Sequence, residues 1–377
     1  MIQNRGGLDM NPATQPTRLG YDTRSLRSAL VMGAVDLLRP WHRPAAFHWA
    51  KTCVVSSVAG LGDLFIHLPL IAGIVTENRR QGIPTRVALR PSTLEIGRLC
   101  GWDTMPFDNA LTEFFKASSS IKPWALLAHL REARRSAPEL WLDLSGNAVN
   151  ALLIKLAGAR RLASRTTRGG RSVVDHALPH IPGENEYRNV RRVGEYLGRA
   201  PDYSIYRFLE GGSPAPGAAV LAVTTACRWR SWPLENFREL IQGFPERSFA
   251  LTGFFREIPV EDRGAFDRII ALPNVVNLLD RLSMLDMIRL IANAPAVVTN
   301  DTSCAHIANA FRRPGAVIFG PENPNVFAAP DGLQLFHDAS CPFFPCVQWK
   351  CSNPQHWCMS LVRPPAVIAF MRELDGH

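Results

Sequence analysis

At 377 residues, with 46% hydrophobic and 20% charged residues, the chain has the make-up of a globular protein long enough for about two domains. Lys and Arg exceed Asp and Glu by 42 − 33, a formal charge of +9 that favours anionic partners such as nucleotides, nucleic acid or an acidic membrane surface. No run approaches the roughly 20 apolar residues of a membrane span, and the polar opening MIQNRGGLDMNPATQPTR lacks the apolar centre of a signal peptide, so the expected location is the cytoplasm.

Residues 1–45 read as a tail. The first twenty or so are polar and rich in Gly, Pro and Thr; then Leu26, Leu30 and Leu37 mark one face of an amphipathic helix, with Arg24, Arg27, Arg39 and Arg43 around it and Trp41 and Trp49 close by. Two readings stay open: peripheral contact with an anionic membrane, and packing on the domain or a partner. From Cys53 the pattern becomes regular. An apolar run over 54–58 is followed by a Gly turn and a helix carrying Leu64, Leu68, Ile71 and Val75 on one stripe; 86–89 and 140–144 read as further buried strands with helical stretches between them. Strand and helix alternate in this way to about residue 200, which predicts a parallel, doubly wound sheet over 46–200.

The stretch 201–218, with Pro201, Gly211, Gly212, Pro214, Pro216 and Gly217, breaks the period and reads as a linker. The alternation resumes over 219–362: strands at 219–224, 249–252 and 296–299, helices at 234–241 and 284–292. Two Rossmann-like sheets in succession imply a central cleft lined by the carboxyl ends of strands, where open parallel sheets bind ligands. A last apolar run at 366–374, within 363–377, is expected as a helix crossing back to the first domain.

Three constellations fall at strand ends. Gly60-Leu61-Gly62-Asp63 joins a strand to a helix: Gly60 and Gly62 allow a tight turn and close approach of a ligand, and Asp63 is read either as a helix cap or as a general base taking a proton from an acceptor hydroxyl. The segment TTACRWRSWP at 224–233 places Thr224, Thr225, Arg228 and Arg230 ahead of a helix that Pro233 starts, a set suited to an anionic diphosphate leaving group or to a solvated basic loop. In VVTNDTSCAHIANAFRRPGAVIFGPENPNVFAAP at 297–330, Cys304, Ile307, Ala308 and Phe311 share a core face, so His306 turns off it. The first turn, with Asp301, Thr302 and Ser303, offers free amides and partial positive charge for a phosphate. Asp301 would repel a phosphate that it faced, so capping or a sugar hydroxyl suits it better. Asn323 and Asn325 follow as hydroxyl contacts or turn formers.

With these residues in view the chain resembles glycosyltransferase family 9. GLGD at 60–63, the Thr-Thr to Trp-Pro segment at 224–233, NDTSCAH at 300–306, FGPENP at 319–324 and the ending Cys358-Met359 follow the family in order and separation, over roughly 52–372. The resemblance implies an α/β chain of the GT-B fold and an inverting enzyme such as an ADP-heptose:lipopolysaccharide heptosyltransferase, with no cofactor or metal required for transfer. It implies a catalytic base at Asp63, nucleotide-diphosphate contacts at Thr224 and Thr225, and a donor-binding turn at Asp301, Thr302, Ser303 and His306. Arg230 stands where members commonly have lysine, a flatter and bulkier cation. Glu257 lies near the family's acidic nucleotide contact.

The expected partners are a nucleotide-diphosphate sugar donor and a lipopolysaccharide or other glycan acceptor at the cytoplasmic face of the inner membrane. The alternatives are a protein O-heptosyltransferase, another GT-B nucleotide-sugar enzyme such as an epimerase, and a silent sugar-binding protein of the same fold. Nucleic acid is not expected, because the basic residues are spread out and no reading helix or aromatic platform stands among them. In CPFFPCVQWKCSNPQHWC, Cys341, Cys346, Cys351 and Cys358 offer four soft ligands for a structural zinc or iron ion, or four thiols without metal.

Overall fold

The computed structural model describes residues 47–107, 138–167, 173–346, 351–353 and 355–375, together with 131, 134, 135 and 171. The amphipathic helix expected over 26–37 lies outside them. Two parallel six-stranded sheets carry the fold. The first comprises β1 (Cys53–Ser57), β2 (Thr85–Leu89), β3 (Thr104–Pro106), β4 (Leu140–Asp143), β5 (Arg161–Ser164) and β6 (His176–Ala177), in the order β3-β2-β1-β4-β5-β6. The second comprises β7 (Ala219–Ala222), β8 (Phe249–Thr252), β9 (Val275–Asn277), β10 (Val297–Asn300), β11 (Gly315–Phe319) and β12 (Gln334–His337), in the order β12-β11-β10-β7-β8-β9. Counted within its own sheet each order is 3-2-1-4-5-6, so the expected pair of Rossmann-like domains is present. The central strands are covered on both faces, which is why they read as largely apolar runs: CVVSS in β1 and GAVIF in β11 are buried at every position.

The order reverses direction between β1 and β4 in the first sheet and between β7 and β10 in the second, and ligands of such sheets bind at that reversal. The segments that leave these strands are the ones singled out by motif: 58–63 after β1, 223–233 after β7, and 301–306 after β10.

Helix α1 (Leu61–Arg80) is the keystone between the halves. It runs through Pro69, whose missing N–H leaves the carbonyl of Phe65 without its helical partner. Tyr206 fills the gap, its hydroxyl donating to Phe65 O at 2.8 Å. Tyr206 belongs to a 3-10 turn, Tyr203–Leu209, within the stretch read as a linker; this turn packs on α1, and Asp202 N–H donates to Pro69 O at 2.8 Å. Gly73 is required where the chain crosses α1, since a Cβ there would stand 1.8 Å from Ala200 O. The first domain also uses α2 (Leu94–Leu99), α3 (Ala148–Leu156) and α4 (Glu186–Leu197).

The second domain carries α5 (Leu234–Gln242), α6 (Arg263–Ile270), α7 (Met284–Ala292), α8 (Ser303–Ala310), α9 (Pro324–Phe327), α10 (Trp357–Ser360) and α11 (Pro364–Asp375). The expectation that the last helix returns to the first domain is corrected: α11 packs on α5 and β11, with Val367 and Met371 buried in the second domain's core and Phe370 against Phe336. Its apolar stripe matches the outer face of its own sheet, so no crossing is needed. The halves are joined instead by α1 against α8. One continuous buried cluster takes Val55, Leu64, Leu68 and Leu142 from the first half and Val220, Val297, Ile307 and Phe319 from the second.

Candidate active site

Asp63 is the third residue of α1. The helix begins at Gly60 with no side-chain cap, so the capping reading is not borne out, and the half-buried carboxylate sits in the first turn where the helix dipole favours negative charge. Gly62 packs so closely on α8 that a Cβ would lie 2.7 Å from His306 Cδ2 and 3.3 Å from Ser303 Cα. The two strand-end motifs, far apart in sequence, therefore meet. Asp63 acts electrostatically on His306, Asp301 and Tyr187.

Thr302 caps α8, its hydroxyl accepting from Cys304 N–H at 3.3 Å. Asp301 is not the cap. It is 4% exposed and faces Arg230, with Oδ2 3.5 Å from Nη1. Burial raises its carboxyl pKa, and the charge of Arg230 opposes the rise. Arg230 also donates to Glu322 at 2.9 Å, so one guanidinium is held between two acids. Asn300 ties the loops together, accepting from Trp232 N–H at 2.8 Å and donating to Ala222 O at 3.2 Å.

On the other side of β7, Thr224 donates to Glu257 at 2.7 Å and accepts from Phe254 N–H at 3.0 Å. Gly253 makes this possible: its φ of +140° suits glycine, and a Cβ there would stand 2.2 Å from Thr224 Oγ1. Thr225 closes its own loop on Cys227 O, with Ser231 Oγ at 3.3 Å. Arg228 stands apart, stacked on Trp229 and in an exposed ion pair with Glu261 at 3.4 Å. Asn323 caps α9 through Asn325 N–H, the turn-forming role of the two readings.

His306 leaves its domain's core, as its helical position implied, but it enters the seam between domains. Its Nδ1 shares a 2.8 Å hydrogen bond with Tyr187 Oη from α4, which the sequence reading did not single out. Asn309 uses its carbonyl on Leu333 N–H at 2.8 Å, and its side chain also bonds Tyr187. An Asn309 amide that donates to Tyr187 Oη leaves the phenolic proton available to His306 Nδ1. Burial lowers the His306 pKa against the pull of Asp301 and Asp63, which favours the neutral ring, and its Nε2 edge lies beside Gly62. Beside Tyr187, Glu186 accepts two bonds from buried Arg165. Burial pushes its pKa up, but bonds from His67 and Arg165 outweigh this and bring it from 4.5 to about 2.

The four clustered cysteines line one small cavity with Phe343, Phe344 and Asn353. They form no disulfide. Burial, then the three neighbouring thiols, pushes the Cys358 pKa up to about 12. His356 is engaged by Trp229 O at 2.7 Å. Among the described residues no group of three or more His, Cys, Asp or Glu is placed to hold a metal ion. Also among them, no helix is long and apolar enough to cross a membrane.

Residues 209–353 match glycosyltransferase family 9 (heptosyltransferase). Lipopolysaccharide heptosyltransferase 1 of Pseudomonas aeruginosa is 30% identical over 139 residues, 36% of this chain and 39% of that protein. Lipooligosaccharide heptosyltransferase 2 of Haemophilus influenzae is 32% identical over 102 residues, 25% of this chain and 28% of that one. The matched stretches thus span about two fifths or less of these relatives. Among solved structures, E. coli heptosyltransferase WaaC with ADP-2-deoxy-2-fluoro heptose superposes with a TM-score of 0.65 at 18% identity, covering 85% of this chain and 99% of that one. E. coli ADP-heptose lps heptosyltransferase II gives a TM-score of 0.58 at 15% identity, over 86% and 98%. The chain is therefore similar to glycosyltransferase family 9 in sequence over 209–353, and it shares the fold of the solved heptosyltransferases across both sheets.

Proposed function

We propose that the protein is an inverting glycosyltransferase that moves heptose from ADP-heptose onto a lipopolysaccharide core at the cytoplasmic face of the inner membrane. The observation that carries this reading is the meeting of the Asp63 turn with the Ser303–His306 turn across the seam, a base on one sheet facing a phosphate-suited helix end on the other. Asp63 takes the proton of the acceptor hydroxyl as that oxygen forms its bond to the donor's anomeric carbon. The bond to the diphosphate breaks on the opposite face, so the anomeric configuration inverts. Arg230, His306 Nε2–H and the free amides at the start of α8 stabilise the departing charge, with Thr224 and Thr225 shaping the floor beneath it. Removing the base at the same volume, as in Asp63→Asn, is expected to lower transfer by about 10²–10⁴-fold with ADP affinity kept. Following ADP release from a panel of nucleotide sugars, and reading the product's anomer by NMR, tests donor and stereochemistry together. Near wild-type transfer by a folded Asp63→Asn protein would remove Asp63 from the role.

No metal takes part in this transfer. A structural zinc or iron ion at Cys341, Cys346, Cys351 and Cys358 belongs to the same proposal: the donor set suits either metal by chemistry, while the present spacing brings no three thiols into ligating position. Metal analysis of protein prepared without chelators decides it, a metal-free protein with intact activity speaking against the ion.

A further inference from the structure

A groove of about 1190 Å³ runs from the His306 and Tyr187 end of the seam between α1 and α4 on one side and α8 with residues 329–332 on the other. It exceeds the roughly 300–1,000 Å³ that a small ligand fills. Its lining carries Arg188, Arg191, Arg207, Arg312 and Arg313 against two carboxylates, Glu210 and Asp331. The charge is available: Arg188, Arg207 and Arg312 are exposed, and the ion pair of Arg191 with Glu195 at 3.3 Å has both ends more than 60% exposed and is weak. Every cation is a guanidinium, the group whose paired N–H donors match a phosphate or carboxylate in two contacts. Between the arginines lie aromatic surfaces on which a sugar ring can rest, Tyr203 at 63% exposure, Tyr206 and Phe311.

From these features we infer that the groove binds a phosphorylated glycan, the part of the acceptor that lies away from its reacting hydroxyl. The inference rests on the glycosyltransferase reading for its link to catalysis, since the groove ends at His306, beside the turn that carries Asp63. Its binding chemistry stands on the groove alone. A compact inorganic anion would use one or two of the arginines, whereas a chain of sugars bearing several phosphates meets the whole length. The same cations would draw such an acceptor in from solution in a salt-dependent way.

The test uses the full chain, a deacylated lipopolysaccharide oligosaccharide bearing its phosphates, and the same oligosaccharide after phosphatase treatment. Calorimetric binding is compared between wild type and the triple variant Arg188→Ala, Arg207→Ala, Arg312→Ala, with ADP binding and melting temperature measured beside it. The inference expects the phosphorylated form to bind at least about tenfold tighter than the treated form, and the triple variant to lose that preference while ADP affinity and melting temperature stay unchanged. Equal binding of the two forms, or a triple variant that keeps the preference, overturns it. Loss of ADP affinity in the triple variant also overturns it, because the arginines would then serve the donor. A wild type that binds the phosphorylated oligosaccharide but neither binds ADP nor transfers sugar leaves the groove assigned and removes the glycosyltransferase reading.

Discussion

At the scale of single residues, what the sequence exposed and what it hid follow from distance along the chain. Asp63, Thr224, Thr225, Arg230, Asp301 and His306 each lie within a few residues of a strand's carboxyl end, so local pattern was enough to find them. Tyr187 could not be found this way: its partner His306 is 119 residues distant, and nothing around Glu186-Tyr187 looks like chemistry. Glu322 lay inside a motif already noticed, but only the fold reveals that it holds Arg230. Donation from Asn309 to Tyr187 and from Tyr187 to His306 would place the ring proton on Nε2, and that order is testable. Tyr187→Phe removes the donor to Nδ1 and leaves the imidazole free to exchange tautomers. Turnover should fall about tenfold with ADP affinity nearly unchanged. Nitrogen NMR of the histidine ring should show a fixed Nε2–H form in wild type and a mixture in the variant; an unchanged ring spectrum would mean that Tyr187 does not set the tautomer.

Among the elements, periodicity placed the strands well because both sheets are parallel and covered, leaving long apolar runs. It failed at the last helix, and at 201–218 it marked a linker without showing the 3-10 turn inside it, which is bound to α1 by a bond that exists because of another proline. This dependence has a measurable signature. Tyr206→Phe leaves Phe65 O buried without a donor and should cost about 1–3 kcal/mol in chemical denaturation. In a Pro69→Ala background the helix supplies its own N–H to the same carbonyl, and the cost should shrink towards zero. Equal costs in both backgrounds would show that the hydroxyl is not replacing the missing amide.

For the whole molecule, the shared core across the seam implies that the two sheets do not melt separately. Scanning calorimetry at neutral pH should give one transition; two resolved transitions would contradict the continuous cluster that joins Leu64 and Leu142 to Val297 and Phe319. Acid should weaken that single transition through Glu186. Its pKa is depressed by folding, so its contribution is fully present above about 4.5 and is lost as pH falls from there towards about 2. The loss is on the order of 3 kcal/mol, an upper figure for a side chain with 16% exposure. Glu186→Gln should flatten the acid slope over that window.

The contact of Gly62 with His306 also bears on how this molecule can be rebuilt. The family's sequence pattern lies over 209–353, while the likeness in fold covers 85% of the chain at 18% identity. A first half taken from another protein of the same fold would therefore look permissible. It would function only if it also brought a glycine opposite the His306 ring and a tyrosine within reach of Nδ1. These two side-chain conditions form a mating surface, and they mark where a graft between halves would hold or fail.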